Sequence, residues 1–322
     1  MGQAESSEAI EDSGATLELL LPSFDPVQIN PNNLENYLTI QLASDVHLEF
    51  PQVKALISNV AEEDGKISRE TNIIEAKGEV LGLLGDIGDP FSLEYEQFVM
   101  EQAEKFKIVF IVTGNHEYYR NIISETDQRI MDICKKKDNL VFLNKSSFVY
   151  ENESGKRIRF VGGTLWTNVP LKERSKVEYS MNDYRRIKTN SEKCVTISET
   201  IEMHERLVEY IRKECEKHPE ETIAVLTHHS PFINGTVLED EMFLASGMAT
   251  NLDHIIKQHS NISFWGFGHT HRNSFLYLDN PRVTDGKTVL VSNQLGYIIK
   301  KEDTVIPYSK DLVFHIPLLN NQ

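Results

Sequence analysis

The chain is poor in cysteine: Cys134, Cys194 and Cys215 are the only three in 322 residues, widely spaced and with no Cys-x-x-Cys pair. An odd, scattered set argues against a disulfide framework or a thiolate zinc knuckle and points to a reducing, cytoplasmic compartment. No apolar run reaches the roughly 18 residues of a membrane-spanning helix. The acidic N-terminus also lacks the basic segment and apolar stretch of a secretory signal. Positive charge is scarce, with 33 Lys and Arg against 49 Asp and Glu for a formal net charge of -16. Because neutralising a nucleic-acid backbone takes clustered Lys and Arg, this balance argues against a broad nucleic-acid surface. A small anionic substrate held by metal ions remains compatible.

What is present fits a soluble α/β protein. Residues 1–36 mix acidic and small residues with Pro22, Pro26 and Pro31 and show no sustained periodicity, so a flexible arm is expected there. Met1-Gly2-Gln3-Ala4-Glu5-Ser6 fits the pattern for N-myristoylation at Gly2. One acyl chain followed by Glu5, Glu8, Glu11 and Asp12 would give only weak membrane contact, and an unmodified tail is as good a reading. The ordered domain is expected over 37–322. Leu38, Ile40 and Leu42 alternate before Ser44-Asp45, and Val80 to Leu84 precedes Gly85-Asp86. Ile108 to Val112 precedes Thr113-Gly114-Asn115-His116, Ile223 to Leu226 precedes Thr227-His228, and Phe264 to Phe267 precedes Gly268-His269. Such short apolar runs predict five strands ending in polar loops. Helical segments are expected at Leu93 to Phe106, Ser124 to Lys136, Ser191 to Lys217 and Leu252 to Gln258. The alternation predicts βαβ crossovers, with ligands gathering beyond the carboxyl ends of the strands. Late strands at Lys287 to Ser292 and Asp311 to Ile316 suggest an antiparallel or mixed second sheet, and 171–221 suggests a largely helical insertion over one edge.

The loops concentrate one kind of chemistry. Asp45-Val46-His47, Gly85-Asp86-Ile87-Gly88-Asp89, Gly114-Asn115-His116-Glu117, Thr227-His228-His229 and Gly268-His269-Thr270-His271 supply carboxylates, imidazoles and one amide. Mixed oxygen and nitrogen donors suit Mn, Fe or Zn, and their number exceeds the needs of one four-coordinate ion. Two ions about 3.5 to 4 Å apart are the arrangement used for in-line attack at phosphorus.

These five blocks, in this order, resemble the calcineurin-like metallophosphoesterase superfamily, with its Asp-x-His, Gly-Asp-x-x-Asp, Gly-Asn-His-Asp/Glu, lone His and Gly-His-x-His pattern. Gly-Asn-His-Glu alone would arise by chance in on the order of one such chain in several hundred. The resemblance spans about residues 38–297. It implies a four-layer α/β/β/α sandwich of two mixed sheets and two metal ions per chain. Gly-Asn-His-Glu-Tyr-Tyr at 114–119, Thr164-Leu165-Trp166-Thr167 and Asn182-Asp183-Tyr184-Arg185 resemble a branch characterised only at the level of phosphoester hydrolysis. By the resemblance, Asp45, His47 and His271 hold the first metal, Asp86 bridges, and Asn115, His228 and His269 hold the second. Adjacent residues on a strand point oppositely, so only one of His228 and His229 should coordinate, and the resemblance implies His228, because family ligands come first in such pairs. His116 is expected to be the proton donor and Asp89 the carboxylate that orients it; alone, Asp89 could equally start a turn with Pro90. Arg185 is a candidate phosphate clamp, with a solvated helix face as the competing reading. Tyr118 and Trp166 are candidates to line the pocket, with packing the more common role for such residues.

The implied activity is hydrolysis of a small phosphomonoester or phosphodiester, a nucleotide included, with a metal-bound water as nucleophile. A phosphoprotein phosphatase is the alternative, weakened because Pro90 and Thr113 stand where those enzymes place arginines. A protein-binding scaffold of this fold, such as the retromer subunit, is the second alternative, weakened because every ligand position is filled.

Overall fold

The computed structural model describes residues 36–53, 61–63, 66–68, 73–151, 155–283, 286–297 and 306–319. Gly2 and all of the expected N-terminal arm except Asn36 lie outside the described residues. Two sheets carry the fold. In the first, β1 (Tyr37–Ala43), β4 (Val80–Leu84), β5 (Ile108–Val112) and β6 (Leu140–Phe142) run parallel, and β13 (Val313–Pro317) closes the edge antiparallel to β1. A short hairpin, β2 (Ala61–Glu63) with β3 (Lys66–Ser68), stands apart. In the second sheet β8 (Arg157–Gly163), β9 (Thr222–Thr227), β10 (Ile262–Phe267) and β12 (Lys287–Ser292) are parallel. There the edges are antiparallel, formed by β7 (Ser146–Glu151) and β11 (Phe275–Asp279).

The layers follow from which faces are apolar. Every residue of β4, β9 and β10 is buried, as expected for parallel strands covered on both faces. Leu38, Ile40, Leu84 and Phe110 of the first sheet meet Phe160, Leu226, Phe264 and Val291 of the second in a shared core. On the outer face of the first sheet, Tyr95, Phe98 and Val99 of α1 (Leu93–Lys105) and Ile130 and Ile133 of α2 (Ile123–Cys134) cover Leu81, Leu83, Val109 and Ile111. The second sheet is covered by α5 (Ile197–Lys217) through Leu207, Ile211 and Cys215 and by α7 (Asp253–Gln258) through Ile255 and Ile256. This is the expected α/β/β/α sandwich. Local signals set the helix starts: the Ser92 side chain accepts from Tyr95 N, and Thr196 with Glu199 forms a capping box on α5.

Two expectations change. The last strand joins the first sheet, where Phe314 and Ile316 enter the intersheet core beside Leu38 and Ile40. Its alternation specifies a half-buried edge but not which sheet offers one. The segment 171–221 does contain helices, namely α3 (Arg174–Ser180), α4 (Asp183–Arg186) and α5. However, α5 connects parallel β8 to β9 and supplies the outer layer, so it is a crossover helix and not an edge insertion. Another short helix, α6 (Ala245–Met248), precedes α7. Among the described residues no helix is long and apolar enough to cross a membrane.

Candidate metal centre

The loops after β1, β4, β5, β9 and β10 converge. The chain bends hard there: Asp45, His47, Asp86, His269 and His271 all have φ between 51° and 72°. Left-handed backbone at a non-glycine residue costs about 1–3 kcal/mol and persists only where the surroundings enforce it. Here the enforcement is a ladder of backbone bonds, Asp45 N to Gly85 O at 3.0 Å, His47 N to Asp86 O at 2.9 Å and Leu48 N to Ile87 O at 2.8 Å. The Glu117 carboxylate adds to it, accepting from Asp86 N (2.9 Å), Ile87 N and Gly114 N (both 2.7 Å). Gly114 allows close approach, since a Cβ there would lie 2.1 Å from Asp86 Oδ1.

Two clusters result. Around the first, His47 Nε2 is 3.3 Å from His271 Nε2, and His271 Nε2 is 3.2 Å from Asp45 Oδ1, a buried oxygen with no other partner among the described residues. Around the second, His228 Nε2 is 3.1 Å from both Asn115 Oδ1 and His269 Nδ1 and 3.5 Å from Asp86 Oδ1. Asp86 Oδ2 lies 4.0 Å from His47 Nε2, so one carboxylate borders both clusters. All seven residues expected as ligands are therefore together: Asp45, His47 and His271 form one group, and Asp86, His228 and His269 another, completed by Asn115.

The proton inventory fits cations. His228 Nδ1 faces Leu84 O at 2.8 Å and must donate to it, which leaves Nε2 as a lone pair. The Asn115 amide nitrogen donates to Asp183 Oδ1 (2.8 Å) and Tyr119 OH (3.1 Å), so its oxygen faces His228. Lone pairs from the His228 ring and the Asn115 amide thus meet around one point, with the Asp86 carboxyl 3.5 Å from the ring nitrogen. Burial is the main force lowering the His228 pKa to about 3, so the ring is neutral and ready to ligate. Burial likewise raises the Asp86 carboxyl, reinforced by the charges of Glu117 and Asp45. A buried anion so disfavoured calls for positive charge beside it. His229 turns away, with Nδ1 3.0 Å from Thr164 O and its ring packed on His269.

Other placements differ from expectation. His116 sits at the rim, its Nε2 3.9 Å from Asp86 Oδ2 and its ring stacked on Tyr119. The carboxylate beside its Nδ1 is Glu49, at 2.9 Å, and not Asp89. Asp89 is exposed and accepts from Phe91 N at 3.0 Å, starting the turn into α1. Arg185 is also spent elsewhere, on Tyr179 O and Asn182 Oδ1, while the neighbouring Arg186 lies over the Tyr119 ring. Tyr118 and Trp166 are buried packing residues bordering a separate cavity of about 290 Å³, which Asp127, Asn144 and Arg206 also line. Sequence reasoning passed over Glu49, the clamping role of Glu117, and Asp183. The only available hint for Glu49 was its place in Asp45-x-His47-x-Glu49, two residues past a proposed ligand.

The family model for calcineurin-like phosphoesterases matches residues 38–273. The chain belongs to that family. An uncharacterized protein of Acanthamoeba polyphaga mimivirus is 28% identical over 278 residues, covering 80% of this chain and 91% of the viral protein. The phosphopantetheinyl hydrolase of Mycobacterium tuberculosis has the same fold, with a TM-score of 0.61 and 14% identity over 84% of this chain and 95% of the mycobacterial one. A dimetal phosphatase from Danio rerio aligns over 92% of this chain and 97% of its own, with a TM-score of 0.45 and 11% identity. The protein is thus a metallophosphoesterase of the α/β/β/α fold.

Proposed function

We propose that the protein hydrolyses a small phosphomonoester or phosphodiester, nucleotides being candidates, at two cations (Mn, Fe or Zn). Asp45, His47 and His271 would hold one and Asn115, His228 and His269 the other, with Asp86 shared. The observation that carries this reading is the meeting of His228 Nε2, Asn115 Oδ1 and Asp86 Oδ1 while the ring and amide protons are committed to Leu84 O, Asp183 and Tyr119. Bound cations would supply Lewis acidity toward the phosphoryl oxygens and make a hydrolytic water nucleophilic. The protein's own part is orientation. His116, at the rim with its ring stacked on Tyr119, would give a proton to the departing oxygen. Arg186, over Tyr119, replaces Arg185 as the candidate phosphate contact.

Phosphoproteins fit less well. Thr113, at one of the positions where such phosphatases carry an arginine, is buried and bonded to Tyr118 OH and Thr164 Oγ1, both at 2.8 Å. A scaffold role is disfavoured by the complete donor set. The free Cys134, Cys194 and Cys215 support the cytoplasmic reading. The test is a panel of phosphomonoesters, cyclic nucleotides, dinucleotides and phosphopeptides offered to Mn-loaded protein. Metal-dependent turnover of a small ester is expected. A metal-loaded protein inactive on the whole panel, or one that prefers a phosphopeptide, overturns the proposal.

A further inference from the structure

We propose that Glu49 is the positioning carboxylate of this site, with one oxygen fixing both the His47 ring and the His116 ring. The inference rests on the reading of His47 as a ligand and His116 as the proton donor. Glu49 Oε1 lies 3.0 Å from His47 Nδ1 and 2.9 Å from His116 Nδ1, and the two rings meet edge to face with centroids 4.6 Å apart. An ionised carboxylate only accepts, and each of its oxygens has two lone pairs, so both Nδ1 atoms carry their protons toward it. Both Nε2 atoms then face Asp86 Oδ2, at 4.0 and 3.9 Å. A single acceptor therefore holds the Nδ1–H of two imidazoles with different tasks: it leaves His47 a lone pair at Nε2 for a cation, whereas His116 gives a proton from Nε2 as the imidazolium. Hydrogen bonds to the far nitrogen of a ligating histidine are known to govern metal affinity in this way.

The backbone explains why Glu49 can reach both rings. Val46 and Leu48 point into the outer core of the first sheet, and the bonds from His47 N and Leu48 N to the loop after β4 hold this segment in place. Glu49 follows these buried side chains, and its carboxylate meets the His47 and His116 rings. The family pattern would assign the role to Asp89, but that carboxylate caps its own turn at Phe91 N. Glu49 supplies the acceptor in its place.

The test compares Glu49→Ala, Glu49→Gln and Asp89→Ala. Nitrogen-15 histidine spectra of the metal-free proteins, assigned with His47→Asn and His116→Asn, read the tautomers directly. Wild type and Asp89→Ala should show Nδ1 protonated in both rings; Glu49→Ala should lose that signature in both, and Glu49→Gln, which keeps a carbonyl oxygen, should retain it. Metal titration should show affinity for the first ion falling about 10–100-fold in Glu49→Ala. In the loaded enzymes, kcat of Glu49→Ala should fall further on alkyl than on nitrophenyl esters, with KM little changed. Unaltered tautomers and metal affinity in Glu49→Ala, or loss of the His116 signature in Asp89→Ala, would overturn the assignment. Wild-type protein that binds metal but turns over no ester refutes the hydrolase reading alone, because the ring tautomers still decide the role of Glu49.

Discussion

The two halves of the candidate metal centre are held by different means. In the half formed by Asn115, His228 and His269, the central ring is tied to a backbone carbonyl, Leu84 O, inside a strand whose every residue is buried. In the half formed by Asp45, His47 and His271, the His47 ring is tied to a side chain, Glu49, which is about a quarter exposed, and is flanked by Tyr297. A carbonyl within a sheet cannot move without breaking the ladder, whereas a glutamate has three rotatable bonds to fix. The contrast implies that the second half is preorganised and the first is adjustable, which costs the first half more on binding.

The largest effect should come from the residue both halves share. Asp86→Asn should lose both ions and reduce kcat/KM by more than the roughly 100-fold typical of changes outside the ligand shell; metal analysis showing two ions retained would break the picture. Metal titration sharpens the contrast next. Calorimetry should resolve a tight step and a weaker one, with His228→Ala abolishing the tight step and His271→Ala the weak one. The reverse assignment would show that backbone anchoring does not decide affinity. A smaller effect is expected at Glu117, where burial is the leading cause that raises the pKa to about 7 while three backbone N–H groups favour the charged form. Glu117→Gln replaces one accepting oxygen by an amide N–H₂ facing those donors, and should cost about 1–3 kcal/mol in denaturant unfolding. Both metal steps should weaken together, because Glu117 clamps the loops after β4 and β5.

The smallest effect lies outside the centre. His204 is buried with Nδ1 3.0 Å from Leu165 O, and burial lowers its pKa. For a histidine depressed in the folded state, the unfolded chain takes up the proton first. Its contribution to stability is therefore present above about pH 6.5 and is lost as pH falls below that value. His204→Gln, which keeps a donor for Leu165 O, should flatten the fall in Tm between about pH 7.5 and pH 5.5. An unchanged slope would remove His204 from the acid response.

How far the site is legible depends on whether a residue's task is local. Asp45, His47, Asp86, Asn115, His228, His269 and His271 each follow a strand, and the chemistry of metal binding restricts which side chains can serve. Their positions after apolar runs therefore mark them as candidates in the amino-acid order alone. Asp89 and Arg185 fail for a common reason: each finds a partner within six residues, at Phe91 N and at Tyr179 O and Asn182, and such local capture competes with reaching the site.

The sequence by itself determined the α/β class, the loops that carry the chemistry and the choice of oxygen and nitrogen donors, because strand periodicity and ligand chemistry are local properties. Only the tertiary structure decided that β13 closes the first sheet and that α5 is a layer of the fold. It also decided that Glu49 and not Asp89 lies against His116. Those choices turn on which edge is open, which face is uncovered and where a carboxylate points once the chain has left its strand. They are settled by packing between segments far apart in sequence, and no window of residues contains that information.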